Sequence, residues 1–200
     1  MSEAIRLPKT KVGYKSFHRI IEVSKKLFAE NGFLATSTNQ IISEAKVAIG
    51  TFYIYFDDKR AVYDYLLNDY SKRIRKEIQI AIKDLPTRFE QERQGLKTFI
   101  KFSLEDRLSY RIIWESMFVE RQLFVDYYSN FAAVYMKQLQ KAVEQGEIKP
   151  DLNLETLAYT LMGISNFVGL QVIFKQHVTE QEIDDIVDQV MHILKDGIFL

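Results

Sequence analysis

The chain has 200 residues and carries 27 Lys and Arg against 27 Asp and Glu, so its formal net charge is zero and no overall basic excess points to a nucleic-acid partner. It holds 8 Gly and 3 Pro, where an average chain of this length has about 14 and about 10, and so few turn residues disfavour an all-β barrel or sandwich. The absence of Cys excludes a disulfide scaffold, a thiolate zinc site and a cysteine nucleophile. The polar N-terminus predicts no signal peptide, so we expect a cytoplasmic protein.

The balanced total hides an uneven distribution of charge along the chain. Residues 1–83 carry 15 Lys and Arg against 9 Asp and Glu, a net charge of +6, whereas residues 84–200 carry 12 against 18, a net charge of −6. This split favours an anionic partner for the N-terminal part. The alternative is a set of solvated surface charges, which is the usual origin of such runs.

Apolar residues recur at helical spacing along the whole chain, and this predicts an all-α fold of about nine helices. The first helix has its apolar face on residues 17–28 and ends at Asn31 and Gly32, because Gly in this position terminates a helix. The later helices are predicted at 37–45, 49–55, 58–83, 87–108, 109–118, 121–145, 153–175 and 180–197.

The stretch from residue 36 to residue 59 predicts two short helices in close succession. Ser37, with Gln40 three residues later, has the pattern of a capping box, so a helix should begin there. Residues 46–48 then form a three-residue turn before the helix at 49–55. Two short helices joined this tightly behind an amphipathic helix are typical of a helix-turn-helix, whose second helix enters the major groove of DNA. The pattern alone also fits any small three-helix bundle.

Residues 50–56, with the sequence GTFYIYF, and Lys59 resemble the signature of TetR-family transcriptional regulators. That signature is Gly-Thr, an apolar residue, Tyr, any residue, Tyr or His, Phe, and Lys three positions later. The residues between Phe28 and Ile41 also keep the family's spacing. The resemblance implies an N-terminal three-helix helix-turn-helix domain over residues 1–57. It also implies a helical domain for ligand binding and dimerisation over residues 58–200.

The resemblance and the chemistry of the side chains together predict where DNA is bound. Side chains at the start of the second short helix are expected at base edges, where Asn suits adenine, a Thr methyl suits thymine and Gly allows close approach. Tyr hydroxyls and a Lys near a helix start are expected at phosphates, although a Tyr could instead cover the core and the Lys could be a plain surface charge. The predicted DNA-binding residues are Thr38, Asn39, Lys46, Ile49, Gly50, Thr51, Tyr53, Tyr55 and Lys59.

Two positions depart from the family's usual pattern. Lys46 stands where many members have Gly, because the turn uses a left-handed conformation, and Lys should cost ~1 kcal/mol there. Ala48 stands where a Ser usually caps the next helix, so a cap worth ~1 kcal/mol is lost. Both departures leave the base preference open.

The N-terminal arm is a second candidate for contact with DNA. A basic arm ahead of a helix-turn-helix can reach the minor groove or the flanking backbone. The alternative is a disordered, solvated tail. The basic residues at the start of the chain are Arg6, Lys9, Lys11, Lys15 and Arg19.

Residues 156–174 form an uncharged run of 19 residues, long enough to span a bilayer. Polar residues recur through the run and no basic cluster flanks it, so we expect no membrane span. A helix that is apolar on most sides also suits a dimer interface, and pairing it with the last helix resembles the four-helix contact of TetR-like dimers. The predicted interface residues are Leu161, Ile164, Val168, Val187 and Val190.

Aromatic residues crowd two helices in the middle of the chain. They could line a ligand pocket, which would suit an apolar or aromatic compound, although aromatic stripes at helical spacing more often form core. The predicted ligand-binding residues are Tyr110, Trp114, Phe118, Phe131, Tyr135 and Asn166.

The sequence predicts no catalytic residue, no metal site and no cofactor. The three His residues are isolated, and neither a Gly-rich phosphate loop nor a nucleophile elbow is present. We therefore expect a sequence-specific DNA-binding regulator without enzymatic activity. It should bind a palindromic operator in double-stranded DNA as a homodimer, and act as a repressor that a small, mainly apolar or aromatic effector releases. The alternative is a helical interaction or ligand-carrier protein that kept the fold without operator binding.

Overall fold

The computed structural model describes residues 5–175 and 177–196. Over these residues the chain forms nine α-helices and no β-strand, which confirms the predicted all-α class. The predicted bounds of the eight later helices differ from the observed ones by at most three residues, and position 197 lies outside the described residues. The helices are α1 (Lys11–Asn31), α2 (Thr38–Glu44), α3 (Ile49–Tyr55), α4 (Lys59–Ile82), α5 (Arg88–Glu105), α6 (Arg107–Val119), α7 (Arg121–Glu144), α8 (Leu154–Ile173) and α9 (Glu180–Asp196).

Helix α1 begins and ends at residues whose chemistry explains its limits. The Thr10 hydroxyl accepts a hydrogen bond from the amide of Gly13, and this satisfies one of the free donors of the first turn. Gly32 ends the helix with φ of 85°, a conformation that side chains other than Gly rarely adopt. The predicted stop at Gly32 is therefore confirmed.

The described chain divides into two compact units. Unit 1 consists of the residues up to Ser71 together with Leu108–Tyr127, and unit 2 consists of Lys72–Arg107 together with the residues from Tyr128 onward. Unit 1 therefore holds α1–α3 and most of α6, and helix α4 runs on past Ser71 without a break. The boundary predicted between residues 57 and 58 separates a DNA-binding from a regulatory domain, and does not coincide with the division into compact units. It stays a prediction.

The core of unit 1 is built largely from aromatic rings. Phe17 stacks on Phe56 with 5.1 Å between ring centroids, and it meets Tyr55 edge to face at 5.5 Å. Phe28 meets Tyr63 at 5.3 Å. Phe17, Phe28, Phe56 and Tyr63 are at most 2% exposed, so α1 and α4 hold the end of α3 between them.

The core of unit 2 contains the residues that the sequence assigns to a dimer interface. Helix α5 packs against α8 and α9. Val187 and Val190 lie in the resulting core, with Ile164 and Val168 packed against it, and Leu161 lies in a second cluster with Leu139. Leu161, Val187 and Val190 are buried within the protomer, whereas Ile164 and Val168 are only partly buried. The predicted interface stays a prediction. An apolar stripe shows that a helix face is covered, but it does not show whether another chain or the same chain covers it.

Helix α8 is long and apolar enough to cross a membrane by length and composition. Its buried residues, which include Ala158, Met162 and Val172, lie within the fold of unit 2. Helices at the core of folded domains pass the same test, and the packing against α5 accounts for the apolar character of α8.

Candidate nucleic-acid interface

Helices α2 and α3 form the predicted helix-turn-helix. The Ser37 hydroxyl accepts a hydrogen bond from the amide of Gln40 at 3.1 Å, as predicted, but the Gln40 side chain donates to Glu44 instead of closing the capping box. Lys46 has φ of 51°, so the left-handed turn expected there is confirmed. Ala48 caps α3 without any side-chain hydrogen bond, as its lack of a hydroxyl predicts.

One face of α3 is uncovered, and it carries most of the predicted base-facing residues. Ile49 is 63% exposed and Tyr53 is 48% exposed. Gly50 is exposed as well, and a Cβ added there meets nothing within 4 Å. Asn39 on α2 and Lys46 in the turn are exposed, whereas Thr38 and Thr51 are half-buried.

Ile54 is an exposed residue of α3 that the sequence analysis missed. It is 59% exposed, close to the exposure of Ile49. It occupies the position of the family signature that accepts any residue, so the motif gives no signal for it. The uncovered surface of α3 is therefore more apolar than predicted.

Tyr55 does not extend its hydroxyl to a phosphate as predicted. It is 8% exposed and packs against Phe17. Its hydroxyl oxygen approaches Gly13 so closely that a Cβ at position 13 would lie 2.7 Å away. Tyr55 comes three residues after the buried Phe52 and shares its helix face, so it belongs to the core while Tyr53 faces outward.

Lys59 holds the loop between α1 and α2 in place. Its Nζ donates hydrogen bonds to the carbonyl oxygens of Phe33 at 2.7 Å and Thr36 at 2.6 Å, and lies 4.4 Å from the centre of the Phe33 ring. The Thr36 hydroxyl donates to the carbonyl of Gly32 at 2.8 Å. The structure thus places the ammonium on backbone carbonyls, and its predicted contact with a phosphate stays a prediction.

Glu115 of α6 holds the same loop, and sequence reasoning gave it no such role. Its Oε1 accepts a hydrogen bond from the amide of Phe33 at 2.7 Å, across 82 residues of sequence. In the same unit, the Tyr63 hydroxyl of α4 donates to the carbonyl of Ile112 at 2.6 Å, and burial raises the pKa of that hydroxyl. Arg60 of α4 forms an ion pair with Glu120, which directly follows α6. No local pattern predicts contacts over such separations.

The described part of the N-terminal arm is held against the end of α3, so it is not the disordered, solvated tail considered as an alternative. Its contact with DNA stays a prediction. Arg6 donates its backbone amide to the carbonyl of Tyr55 at 2.9 Å, and its guanidinium contacts Tyr53 and Asp57. The other four basic residues predicted to contact DNA from this part of the chain are exposed, namely Lys9, Lys11, Lys15 and Arg19.

Three of the predicted ligand-binding residues lie in unit 1. Tyr110 is 4% exposed, and burial raises its pKa. Its ring lies 6.4 Å from that of Trp114, which in turn lies 6.5 Å from Phe124. Phe118 is 83% exposed near the end of α6, so its predicted place in a pocket lining is wrong. It is four residues beyond Trp114, where the buried part of the helix has ended.

The other three lie in unit 2, where polar contacts engage two of them. The Tyr135 hydroxyl donates to the carboxylate of Glu92, and burial raises the pKa of Tyr135. The Asn166 amide donates to the carbonyl of Met162 at 2.8 Å, and its oxygen accepts from Tyr128 at 3.2 Å. Phe131 is half-buried. That these six residues bind a ligand stays a prediction, except for Phe118.

Comparisons with known proteins match both the local motif and the whole fold. Residues 20–66 match a family model described as bacterial regulatory proteins, tetR family. YuxN of Bacillus subtilis, an uncharacterized HTH-type transcriptional regulator, is 47% identical over 51 residues, which make up 26% of this chain and 18% of that protein.

Two solved structures share the fold over nearly the whole chain. A protein of Syntrophomonas wolfei described as a TetR-family transcriptional regulator has a TM-score of 0.81 at 20% identity, covering 94% of this chain and 98% of that one. The transcriptional regulator FadR of Bacillus subtilis, in complex with stearoyl-CoA, has a TM-score of 0.76 at 19% identity, covering 92% and 100%.

Proposed function

The chain belongs to the TetR family of DNA-binding bacterial regulatory proteins, and from this premise we propose that it is a repressor that a small apolar ligand releases from a palindromic operator. One observation carries the DNA-binding part of the proposal. Helix α3 leaves Ile49, Gly50 and Tyr53 uncovered on one face, while Lys59 and Glu115 hold the loop that precedes the helix-turn-helix. A fixed frame around an uncovered helix suits insertion into the major groove.

The exposed residues divide between base edges and the DNA backbone. Ile49 can contact a thymine methyl, Asn39 can pair with adenine, and Gly50 allows the helix to approach the bases closely. We assign the exposed Tyr53 hydroxyl and Lys46 ammonium to phosphates, which position the protein without reading sequence. Each base pair that is read wrongly should cost about 1–3 kcal/mol.

A palindromic operator requires two copies of the protein, and the exposed face of α8 is our proposal for their contact. Tyr159, Phe167 and Phe174 are 44%, 68% and 80% exposed. They lie at spacings of eight and seven residues, so they share one face of the helix. Gly163 lies between the first two, with nothing within 4 Å of an added Cβ, and lets a second backbone approach. Two-fold symmetry would bring this face against its own copy.

We extend the proposal to an apolar effector. The Bacillus subtilis FadR structure contains stearoyl-CoA, and this supports a ligand with a long apolar part. Tyr110 and Trp114 are the candidate contacts in unit 1, and Phe131 and Tyr135 are a separate set of candidates in unit 2. A regulator of this kind acts on the chromosome, so we place the protein in the cytoplasm.

Selection from a random duplex pool with the purified protein tests the DNA-binding proposal. We expect enrichment of a two-fold symmetric site whose half-sites lie about one helical turn apart, or slightly more. Ile49→Ala should change the preferred bases, while the exposed Lys26→Ala on α1 should leave them unchanged. A pool that shows no enrichment would favour the alternative of an interaction or carrier protein that does not read sequence.

Titration of the operator complex with acyl-CoA tests the effector. Coupling in regulators typically changes affinity by about 5–150-fold, so release of the operator and a change in Trp114 fluorescence should occur together. Acyl-CoA that binds without releasing DNA would contradict effector control.

A further inference from the structure

The segment before α1 runs antiparallel to the end of α3. Ile5 forms an isolated antiparallel bridge with Phe56, and the Arg6 amide donates to the carbonyl of Tyr55 at 2.9 Å. Pro8 is buried against the start of α1, 3.2 Å from a Cβ built at Gly13. We call residues 5–8 the strap, because their backbone is held between α1 and the end of α3.

The Arg6 side chain extends this contact to the polar atoms around the end of α3. Its Nη1 donates to the carbonyl of Tyr53 at 3.3 Å, and its Nη2 forms an ion pair with Asp57 at 2.5 Å. The last four carbonyls of a helix have no partner within the helix. Arg6 therefore supplies donors to two of them, at Tyr53 and Tyr55.

A helix of seven residues depends on such contacts, because an isolated helix of this length is unstable in water. Its start has no side-chain cap at Ala48. The carbonyl of Tyr53 belongs to the same residue whose ring is exposed on the proposed DNA-binding face. The end of α3 is thus fixed by the strap.

We propose that Arg6 is a positioning residue for DNA recognition, which acts through the end of α3 and is held there by Asp57. The proposal rests on the proposed function in one respect, namely that α3 reads DNA. Arg6 and Asp57 are 52% and 50% exposed, so their pairing is open to substitution without disturbing the aromatic core.

Substitution of Asp57 tests the proposal by the direction in which the affinity for DNA changes. Removing a carboxylate from a DNA-binding surface relieves repulsion with phosphates and should strengthen binding if only charge matters. If Asp57 holds Arg6 on α3, its removal should weaken binding to the operator. The two explanations therefore predict opposite changes for one substitution.

The experiment compares Arg6→Ala, Asp57→Asn and the double variant on the selected operator, over a range of salt concentrations. We expect each single substitution to weaken operator binding about tenfold, and the double variant to be no weaker than either, because the residues act as a unit. The salt slope and the affinity for a duplex of unrelated sequence should stay unchanged. Lys26→Ala is the matched control, since it removes an exposed cation of α1 to which no contact with DNA is assigned. At each salt concentration, this variant should bind the operator with an affinity within twofold of that of the wild type.

Amide hydrogen exchange without DNA provides the second readout. Arg6→Ala should accelerate exchange at Phe56, whose amide donates to the carbonyl of Phe52, about tenfold, while amides of α9 keep their rates. Unchanged exchange at Phe56 would refute the claim that Arg6 fixes the end of α3, whether or not the protein binds an operator. A salt slope that falls by about one unit in Arg6→Ala, together with stronger binding by Asp57→Asn, also overturns it and assigns Arg6 to a phosphate. A wild-type protein that enriches no site refutes the proposed function, and the exchange measurement still decides the strap.

Discussion

Gly50 has no reason in the fold to be Gly. A Cβ at this position meets nothing within 4 Å, and the backbone there is helical. Gly in a helix destabilises a protein by up to about 1 kcal/mol relative to Ala. The absence of a side chain at Gly50 therefore allows a partner molecule to approach α3 closely. We infer from its position that this partner is DNA.

Gly50→Ala should separate stability from recognition. We expect the free energy of unfolding in urea to rise by a few tenths up to about 1 kcal/mol, while operator affinity falls at least about tenfold because the added methyl keeps the helix from the bases. Gly13→Ala is the contrasting variant, since its Cβ would lie 2.7 Å from the Tyr55 hydroxyl and should lower stability. Wild-type operator affinity in Gly50→Ala would show that DNA does not approach the helix at this point.

Lys59 distinguishes a structural cation from a phosphate ligand. Lys59→Met keeps most of the aliphatic chain but removes the donor to the carbonyls of Phe33 and Thr36. We expect the free energy of unfolding to fall by about 1.5–3 kcal/mol, the usual contribution of a hydrogen bond to a charged group. Exposed Lys26→Met on α1 should change it by less than about 0.5 kcal/mol. Unchanged stability combined with a salt slope lower by about one unit would support the phosphate contact predicted from the sequence.

At the scale of elements, helices α5 and α9 are joined by a row of ion pairs. Arg93 Nε lies 2.7 Å from Asp188, and Lys101 Nζ lies 3.2 Å from Glu180. Between them, Lys97 Nζ lies 2.7 Å from Asp184. Hydrogen bonds from Lys101 and Lys97 lower the pKa of Glu180, and the hydrogen bond from Arg93 lowers the pKa of Asp188. The row follows the apolar contact between the two helices in unit 2.

These lowered pKa values set the direction of a pH dependence. A carboxylate whose pKa is lower in the folded than in the unfolded state stabilises the fold at pH values above its unfolded pKa. That contribution is lost as the pH falls through the pKa of the folded state. The ordinary values are 4.5 for Glu180 and 3.8 for Asp188. Thermal denaturation should therefore show stability falling below about pH 4.5, and less steeply in the variant Glu180→Gln with Asp188→Asn. Asp151→Asn, in an exposed turn, should keep the wild-type slope. Equal slopes in all three proteins would show that the row does not respond to pH.

The helices could be predicted from sequence because their causes are local. The apolar period, the Ser37 cap and the glycine at position 32 each act within a turn or two, and the structure has all three. The left-handed conformation of Lys46 was also predictable, because many members of the family have Gly at this position.

Sequence patterns do not determine the contacts of a side chain that has a choice of partners. Val187 lies on an apolar stripe that fits another chain or α5 equally well, and only the folded structure shows that α5 covers it. Tyr55 and Tyr53 look equivalent in the motif, yet the helix turns one inward and the other outward. Glu115 contacts Phe33 across 82 residues, a separation that no periodicity can indicate.

At the scale of the whole molecule, the covered stripe and the exposed face of α8 make different predictions for assembly. Leu161 is 8% exposed and packs in the core of the protomer, whereas Phe167 is 68% exposed on the other side of the helix. An unpaired charge costs most where it is buried. Substitution by Asp at either position therefore identifies which face the second copy uses.

Phe167→Asp should dissociate the dimer without unfolding the protomer. We expect its circular dichroism and urea midpoint to match those of a dilute wild-type protein, while light scattering at tens of micromolar shows monomers. Operator binding should fall at least about a hundredfold, because two half-sites are then no longer held by one particle. Leu161→Asp should instead unfold or aggregate, with a stability loss of several kcal/mol from a buried charge without a partner. If Phe167→Asp stays dimeric and binds the operator like the wild type, the second copy contacts another surface. If Leu161→Asp gives a folded monomer, the result supports the interface predicted from the sequence. The face of α8 that carries Leu161 would then contact the second copy in the assembled protein.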